Sequence, residues 1–231
     1  MTPMKPELPK ELKFAILAAD VALFTLRGNE LYVRLIAVDR PPHFVNSRGL
    51  PGGLLQPAET AQEAAERQIK DKAHVDQRKT YLEQLYTFSR VDRDKRGRVV
   101  AVAYLGLVPW ESLTEAERAD SRGVFWQRAA TAKKLAYDHD EILAMATARL
   151  RSRVTYTTLI QKLMPKEFTL TELEKAYESV VGKDLDKRNF RKKILKLGIV
   201  TPLPHKKSGG RWRPAQLYRF ASPKVDEIEV L

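Results

Sequence analysis

The feature that most constrains this chain is a turn feeding a helix: Leu50-Pro51-Gly52-Gly53, then a run through Val75. Thr60 to Lys72 reads as helical, with Ala61, Ala64 and Ala65 forming a small-residue face suited to close packing on a sheet. At about 100° per residue, Gln68, Asp71 and Lys72 share another face. That face offers one amide, one carboxylate and one ammonium, and Lys72 would repel a divalent cation at close range. Glu63 and Glu66 project to other sides. Glu63 stands four residues before Arg67, the spacing of an i,i+4 ion pair.

The strands expected around this helix alternate with breakers. Phe14 to Thr25 is apolar enough for a buried strand, Gly28-Asn29 is a turn signal, and Glu30 to Val38 alternates as the returning strand. Arg40-Pro41-Pro42 breaks it, and His43 to Gly49 reads as a loop. Tyr81 to Ser89 and Val99 to Pro109 are further strands, separated by a charged surface loop from Arg90 to Arg98. Thr114 to Ala119 is a short polar helix or loop, and Phe125-Trp126 a small strand. A helix opens near Ala136 and runs to about Arg153, with Asp138 beside His139 placed to cap it.

Charge separates the C-terminal part from the rest. Of the net +12, residues 151 to 231 carry +9, with 18 Lys and Arg against 9 Asp and Glu. Three helices are expected here. Tyr156 to Leu163 is closed by Pro165. Thr169-Leu-Thr-Glu172 is a capping box that starts a second helix, which Gly182 ends. The third begins at Leu185 or Asp186 and runs through Lys196. Its buried stripe is Phe190, Ile194 and Leu197, with Arg188, Arg191 and Lys192 opposite. Ile199 to Leu203 and Gln216 to Phe220 can pair around a basic tip. Three helices and a basic hairpin form a winged helix-turn-helix pattern. From Lys183 to Phe220 there are 12 basic and 2 acidic residues, more one-sided than an ordinary solvated surface, so duplex DNA is the expected partner. In the third helix Arg188, Asn189 and Lys192 suit base edges, Arg191, Lys193 and Lys196 are phosphate contacts or surface charges, and Lys187 is a further DNA-binding candidate. On the hairpin, Lys206, Lys207, Arg211 and Arg213 suit phosphate or minor-groove contact.

Hydrophobic content of 43% permits a proper core, no apolar run approaches a membrane span, and the absence of cysteine excludes a disulfide framework and thiolate metal sites. Met1 to Lys13 lacks the apolar core of a signal peptide. A cytoplasmic protein without membrane contact is expected. With four histidines and no cysteine, neither zinc-like spacing nor a catalytic triad stands out.

Gly53, Glu59, Arg67, Ile69 and Val75 fall in register with the Nudix box, and the chain resembles that family. The pattern is Gly, five residues, Glu, seven residues, Arg-Glu, an aliphatic, any residue, Glu-Glu, any residue, Gly, an aliphatic. Gln68, Asp71-Lys72 and His74 replace the catalytic Glu, the Glu pair and the closing Gly. The resemblance implies an α+β fold, a Nudix-like α/β/α sandwich with a mixed sheet, over residues 1 to 150, followed by the winged helix over 151 to 231. It also implies that Glu59 and Arg67 form a structural salt bridge. In Nudix enzymes the carboxylate face resembles a magnesium site; here Asp71 alone would hold the metal weakly, so no metal cofactor and no catalytic residue are expected.

Tyr81 to Asp94 and Arg98 to Tyr104 sharpen the likeness to Nudix-related transcriptional regulators of NAD metabolism. What this implies is a homodimeric repressor on a palindromic operator, with a Nudix-like sensor for ADP-ribose or a related product of NAD turnover. A sugar-sensing regulator and a Nudix hydrolase acting on ADP-ribose remain the alternatives. The ligand site would draw on Arg40, Arg48, Gly52, Gly53, Arg67, Asp71, Lys72 and Tyr104. The Lys72 ammonium either replaces the metal as partner of a diphosphate or is an ordinary solvated lysine. Arg40 and Arg48 either grip phosphate or are ordinary loop residues.

Overall fold

A computed structural model describes residues 15–121, 123–207 and 214–231. Strand β1 is Ile16–Arg27, and β2, Glu30–Arg40, returns antiparallel to it through a turn in which Gly28 takes φ 61°. Next come β3 (Phe44–Gly49), β4 (Gly52–Leu54) and helix α1 (Ala61–Asp71). After these follow β5 (Tyr81–Phe88), β6 (Val99–Leu107), the short helix α2 (Glu115–Arg118) and β7 (Val124–Arg128). The seven strands make one mixed sheet. One edge of β1 is divided between β2, at Phe24 to Arg27, and β4, at Ala18 to Asp20. The other edge pairs in parallel with β6 from Ile16 to Phe24.

This position explains why β1 is apolar almost throughout. Ala19, Val21 and Leu23 face α1, where Ala64, Ala65 and Ile69 meet them. Ala18, Ala22, Phe24 and Leu26 face the opposite layer, formed by helix α3 (His139–Tyr156) through Ile142, Leu143 and Ala146. A strand covered on both faces loses its alternation. The result is the expected α+β sandwich with helices on both sides of a mixed sheet.

Three local expectations need correction. The segment before the glycines is not simply a loop, because β3 pairs with β2 from Ile36↔Gly49 to Arg40↔Phe44. It lies at the sheet edge, where Asn46, Ser47 and Arg48 need no apolar alternation. Glu63 does not pair with Arg67. Its carboxylate accepts from the Thr60 backbone at 2.7 Å while the Thr60 hydroxyl accepts from Glu63 N at 3.2 Å, a reciprocal capping box. The helix expected over Tyr156 to Leu163 is instead the end of α3 followed by a 3-10 turn at Leu159–Lys162. The C-terminal tail returns to this break. Ile228 N donates to Tyr156 O and Val230 N to Thr155 O, which satisfies carbonyls left open by the end of α3.

The C-terminal elements are β8 (Phe168–Thr169), α4 (Leu170–Val181), α5 (Lys187–Leu197), β9 (Val200–Lys207) and β10 (Ala215–Phe220). The strands form a small sheet in the order β8-β10-β9, and with α4 and α5 they make the expected winged helix. Thr169 caps α4 through Glu172, and Gly182 and Gly198 end α4 and α5 in the left-handed region. Phe190 and Ile194 are buried, with Phe190 edge-on to Tyr177, whereas Leu197 is only partly covered. Helix α3 runs unbroken through positions 150 and 151, so the two halves share it. They also share a contact, because Ser179 Oγ donates to Asn29 O at 2.5 Å. Among the described residues no helix is long and apolar enough to cross a membrane.

Glu117 ties the loops below the sheet. It accepts from Lys79 Nζ at 2.7 Å, Thr114 N at 2.7 Å and Asp76 N at 2.9 Å. Burial pushes its pKa up, but these donors outweigh burial and hold it at about 2. Its contribution to stability is therefore complete above the ordinary value of 4.5 and is lost as pH falls towards about 2. Glu117→Gln is expected to lower the urea midpoint at pH 7. The gap to the unsubstituted protein should narrow as denaturation is repeated down to pH 3.

Candidate ligand cleft and nucleic-acid interface

A cleft of about 550 Å3 opens where the C-terminal end of α1, the glycines of β4, the ends of β1 and β2, the β5–β6 loop and the start of α3 converge. Its floor is a buried ion cluster. Arg93 donates to both oxygens of Asp138, at 2.8 and 2.7 Å, and to Asp20 at 3.1 Å. Each of the three is about 95% buried. His139 Nδ1 accepts from Leu50 N at 2.9 Å, which places the ring proton on Nε2, 3.7 Å from Asp20. Burial alone would raise the pKa of Asp20; the His139 ring and Arg93 outweigh it and the net shift is downward. Burial likewise acts to lower Arg93, and its two carboxylate partners reverse the sign.

This cluster overturns two readings of the sequence. The Arg90 to Arg98 loop is not all surface, because Arg93 and Asp94 are buried. Asp138 stands at the N-cap position of α3 but makes no capping bond, since both its oxygens are committed to Arg93.

The glycines are set by close approach. A Cβ on Gly52 would lie 2.0 Å from Asp20 Oδ1, and a Cβ on Gly53 would lie 2.9 Å from Gln68 Nε2 and 3.0 Å from Lys72 Nζ. Lys72 reaches over this loop and donates to Gly52 O. Its pKa is lowered, first by burial and then by Arg40, Arg67 and Arg96, with Asp20 opposing. Gln68 is buried, and its carbonyl oxygen has no partner among the described residues. Arg67 pairs with Glu59, with Nε 2.9 Å from Oε2, and donates to Leu54 O at 3.1 Å, so the structural salt bridge is present. His74, in the place of the closing glycine, adopts φ 54°. The box has kept the left-handed turn while losing the residue that makes it easily.

Of the expected ligand residues, the cleft brings together Arg40, Gly52, Gly53, Asp71 and Lys72. Arg48, Arg67 and Tyr104 do not line it. Arg48 lies over the Phe125 ring and donates to Gln127 Oε1. Tyr104 is buried in the layer beneath α1. Residues that sequence reasoning missed are Asp20, Arg93, Arg96, Tyr137 and His139. Arg96 is held by Asp94 and sits 5.3 Å from the centre of the Tyr137 ring. A signal existed for Asp20, a lone carboxylate inside an otherwise apolar strand.

On the winged helix, Lys187, Arg188, Asn189 and Lys192 are exposed along one side of α5. Asp186 caps that helix by accepting from Asn189 N at 2.7 Å. Arg191 turns back to Thr171 Oγ1 at 2.6 Å and lies 3.8 Å from Glu174, and Lys193 is half-covered. Lys206 is exposed, while Lys207 pairs with Glu172 at 2.6 Å. Arg211, Trp212 and Arg213 lie outside the described residues.

A Nudix-type sandwich joined through one helix to a winged helix defines a class of ligand-sensing regulators, and known proteins carry the same pairing. Residues 17–146 match the NUDIX domain, and residues 160–220 match the NrtR DNA-binding winged helix domain. The ADPR responsive transcriptional repressor NtrR of Acinetobacter baylyi is 34% identical over 215 residues, covering 91% of this chain and 84% of that protein. Shewanella oneidensis NrtR complexed with a 27mer DNA superposes with a TM-score of 0.77 at 29% identity, over 88% of this chain and 93% of that one. The NUDIX domain of the same S. oneidensis protein complexed with ADP ribose is 30% identical, over 63% of this chain and 94% of that one, with a TM-score of 0.50. The chain belongs to the NrtR family of Nudix-related transcriptional regulators.

Arg93→Met would leave Asp20 and Asp138 buried without their cation. It is expected to cost about 3–5 kcal/mol in urea denaturation, the scale for breaking one side of a buried ion pair. A cost near zero would mean that water, and not Arg93, balances the two carboxylates.

Proposed function

We propose that the protein is a DNA-binding transcriptional repressor whose Nudix-like part, within residues 1 to 150, senses ADP-ribose or a related product of NAD turnover to control NAD biosynthesis and salvage genes. The observation that carries this reading is the continuity of α3. The helix starts at the cleft, where His139 lines it and Asp138 holds the lining Arg93, and ends against the winged helix of residues 151 to 231. The ADP-ribose and DNA complexes of its S. oneidensis relative support the two ligands. The protein acts as a cytoplasmic homodimer on a palindromic operator, with α5 in the major groove and Arg188, Asn189 and Lys192 at base edges. Lys187, Lys193 and Lys206 supply phosphate contacts, while the more tethered Arg191 and Lys207 contribute less. The effector binds better to the conformation in which the two recognition helices are wrongly spaced. It therefore weakens DNA binding by its differential affinity for the two states.

The reading contains no hydrolytic step. Among the described residues no group of three or more His, Cys, Asp or Glu could hold a metal ion. The box face presents Gln68 and Lys72 where Nudix enzymes carry carboxylates, so the donor set does not fit magnesium.

Binding to a duplex from the promoter of its own operon, read by fluorescence anisotropy, tests the assignment. ADP-ribose is expected to lower the affinity, and Arg188→Ala to lower it by about 1–3 kcal/mol while relaxing preference at one base pair. Affinity should also fall steeply between ~50 and ~200 mM salt. Indifference to ADP-ribose would move the effector to another class such as a sugar. Magnesium-dependent turnover of ADP-ribose without DNA binding would replace the repressor by a hydrolase.

A further inference from the structure

We propose that Lys72 is the built-in cation of the cleft: its ammonium takes the diphosphate of the effector directly, and binding needs no divalent metal. The proposal deepens the effector reading above and rests on it.

The geometry differs from that of a lysine in bulk solvent. Lys72 follows the last residue of α1, is half-buried, and has its Nζ fixed by donation to Gly52 O. One of its three protons is committed there, leaving two for a ligand. Gly53 is what lets the ammonium reach this place, since a Cβ at that position would stand 3.0 Å from Nζ. Among the described residues no carboxylate forms an ion pair with Lys72. Asp20, whose charge acts on it, is held by Arg93. Three cations also act on Lys72: Arg40 from the end of β2, Arg67 from α1 and Arg96 from the β5–β6 loop. Of these, Arg67 is paired with Glu59 and Arg96 with Asp94, so among the described residues the cleft cations left to meet an anion are Lys72 and Arg40. A lysine binds phosphate oxygens as a point charge, as a metal ion would, but cannot bridge them or polarise water.

The neighbouring groups fit the rest of a nucleoside-diphosphate ligand. Arg40 is exposed, and beyond a bond to the adjacent Asp39 carbonyl its guanidinium makes no ion pair among the described residues. Tyr137 presents a ring to the same cleft beside Arg96. Asp71 lies exposed on the cleft lining and forms no ion pair with Lys72.

Calorimetry on the full chain tests this with ADP-ribose, first in EDTA and then in excess Mg2+. The affinity is expected to agree within about twofold between the two buffers. In EDTA, Lys72→Gln should weaken it by about tenfold or more, the loss of one charge-assisted contact. Lys72→Arg should retain most of it, and thermal melts of both variants check that the fold survives. Lys72→Glu should abolish binding in EDTA and recover part of it in Mg2+. Binding by the unsubstituted protein that requires Mg2+, or a Lys72→Gln variant that binds as tightly as its parent, would overturn the proposal. Inorganic pyrophosphate in EDTA separates the two readings. If pyrophosphate binds and Lys72→Gln abolishes it while ADP-ribose is ignored, Lys72 stands and the ADP-ribose reading falls. If neither compound binds in EDTA, the assignment of Lys72 falls.

Discussion

Arg93 holds this molecule together at the point where its parts meet. Its guanidinium joins the central strand, through Asp20, to the first turn of α3, through Asp138. Three buried charges would be costly if any stood alone. Together they fix the β5–β6 loop over the cleft and set where α3 begins. Asp20 in turn requires the glycine at 52, so the loop before the box is shaped by the same cluster. His139 adds a second tie by accepting from the Leu50 backbone. A ligand entering the cleft therefore meets the groups that position the helix leading to the winged helix.

The box separates the residues that shape its backbone from those that face the cleft. The parts that shape the backbone remain: the glycines, the Glu59–Arg67 bridge, the cap at Thr60 and a left-handed residue at position 74. At positions where the Nudix pattern has carboxylates stand the Gln68 amide and the Lys72 ammonium, with Asp71 the one carboxylate kept. Shape and chemistry separate cleanly because they occupy different faces of one short helix. The small-residue face packs on the sheet, while residues 68, 71 and 72 face the loop and cleft.

Most of the fold was legible in the sequence because it rests on local signals. The capping box at Thr169, the glycines at 182 and 198 and the spacing of Phe190 and Ile194 are enough to set where α4 and α5 start, stop and bury a face. The cleft was only half legible. Its glycines and Lys72 lie together in one motif, whereas Asp20, Arg93, Arg96, Tyr137 and His139 come from segments far apart in the chain. A charged loop such as Arg90 to Arg98 looks solvated until a distant carboxylate buries one of its arginines. The break at Thr157 was hidden for a similar reason: the chain that caps it arrives from residues 226 to 230. Arg48 and Tyr104 had the right chemistry for a ligand site but sit elsewhere on the sheet.

The central claim is that cleft and winged helix are coupled through α3, and reciprocity of binding tests it most directly. ADP-ribose is expected to bind more weakly to the DNA-bound protein than to the free protein. The factor should equal that by which ADP-ribose weakens DNA binding, since one coupling free energy governs both. Equal ADP-ribose affinities with and without saturating operator duplex would contradict it, leaving two ligand sites on one chain with no linkage between them.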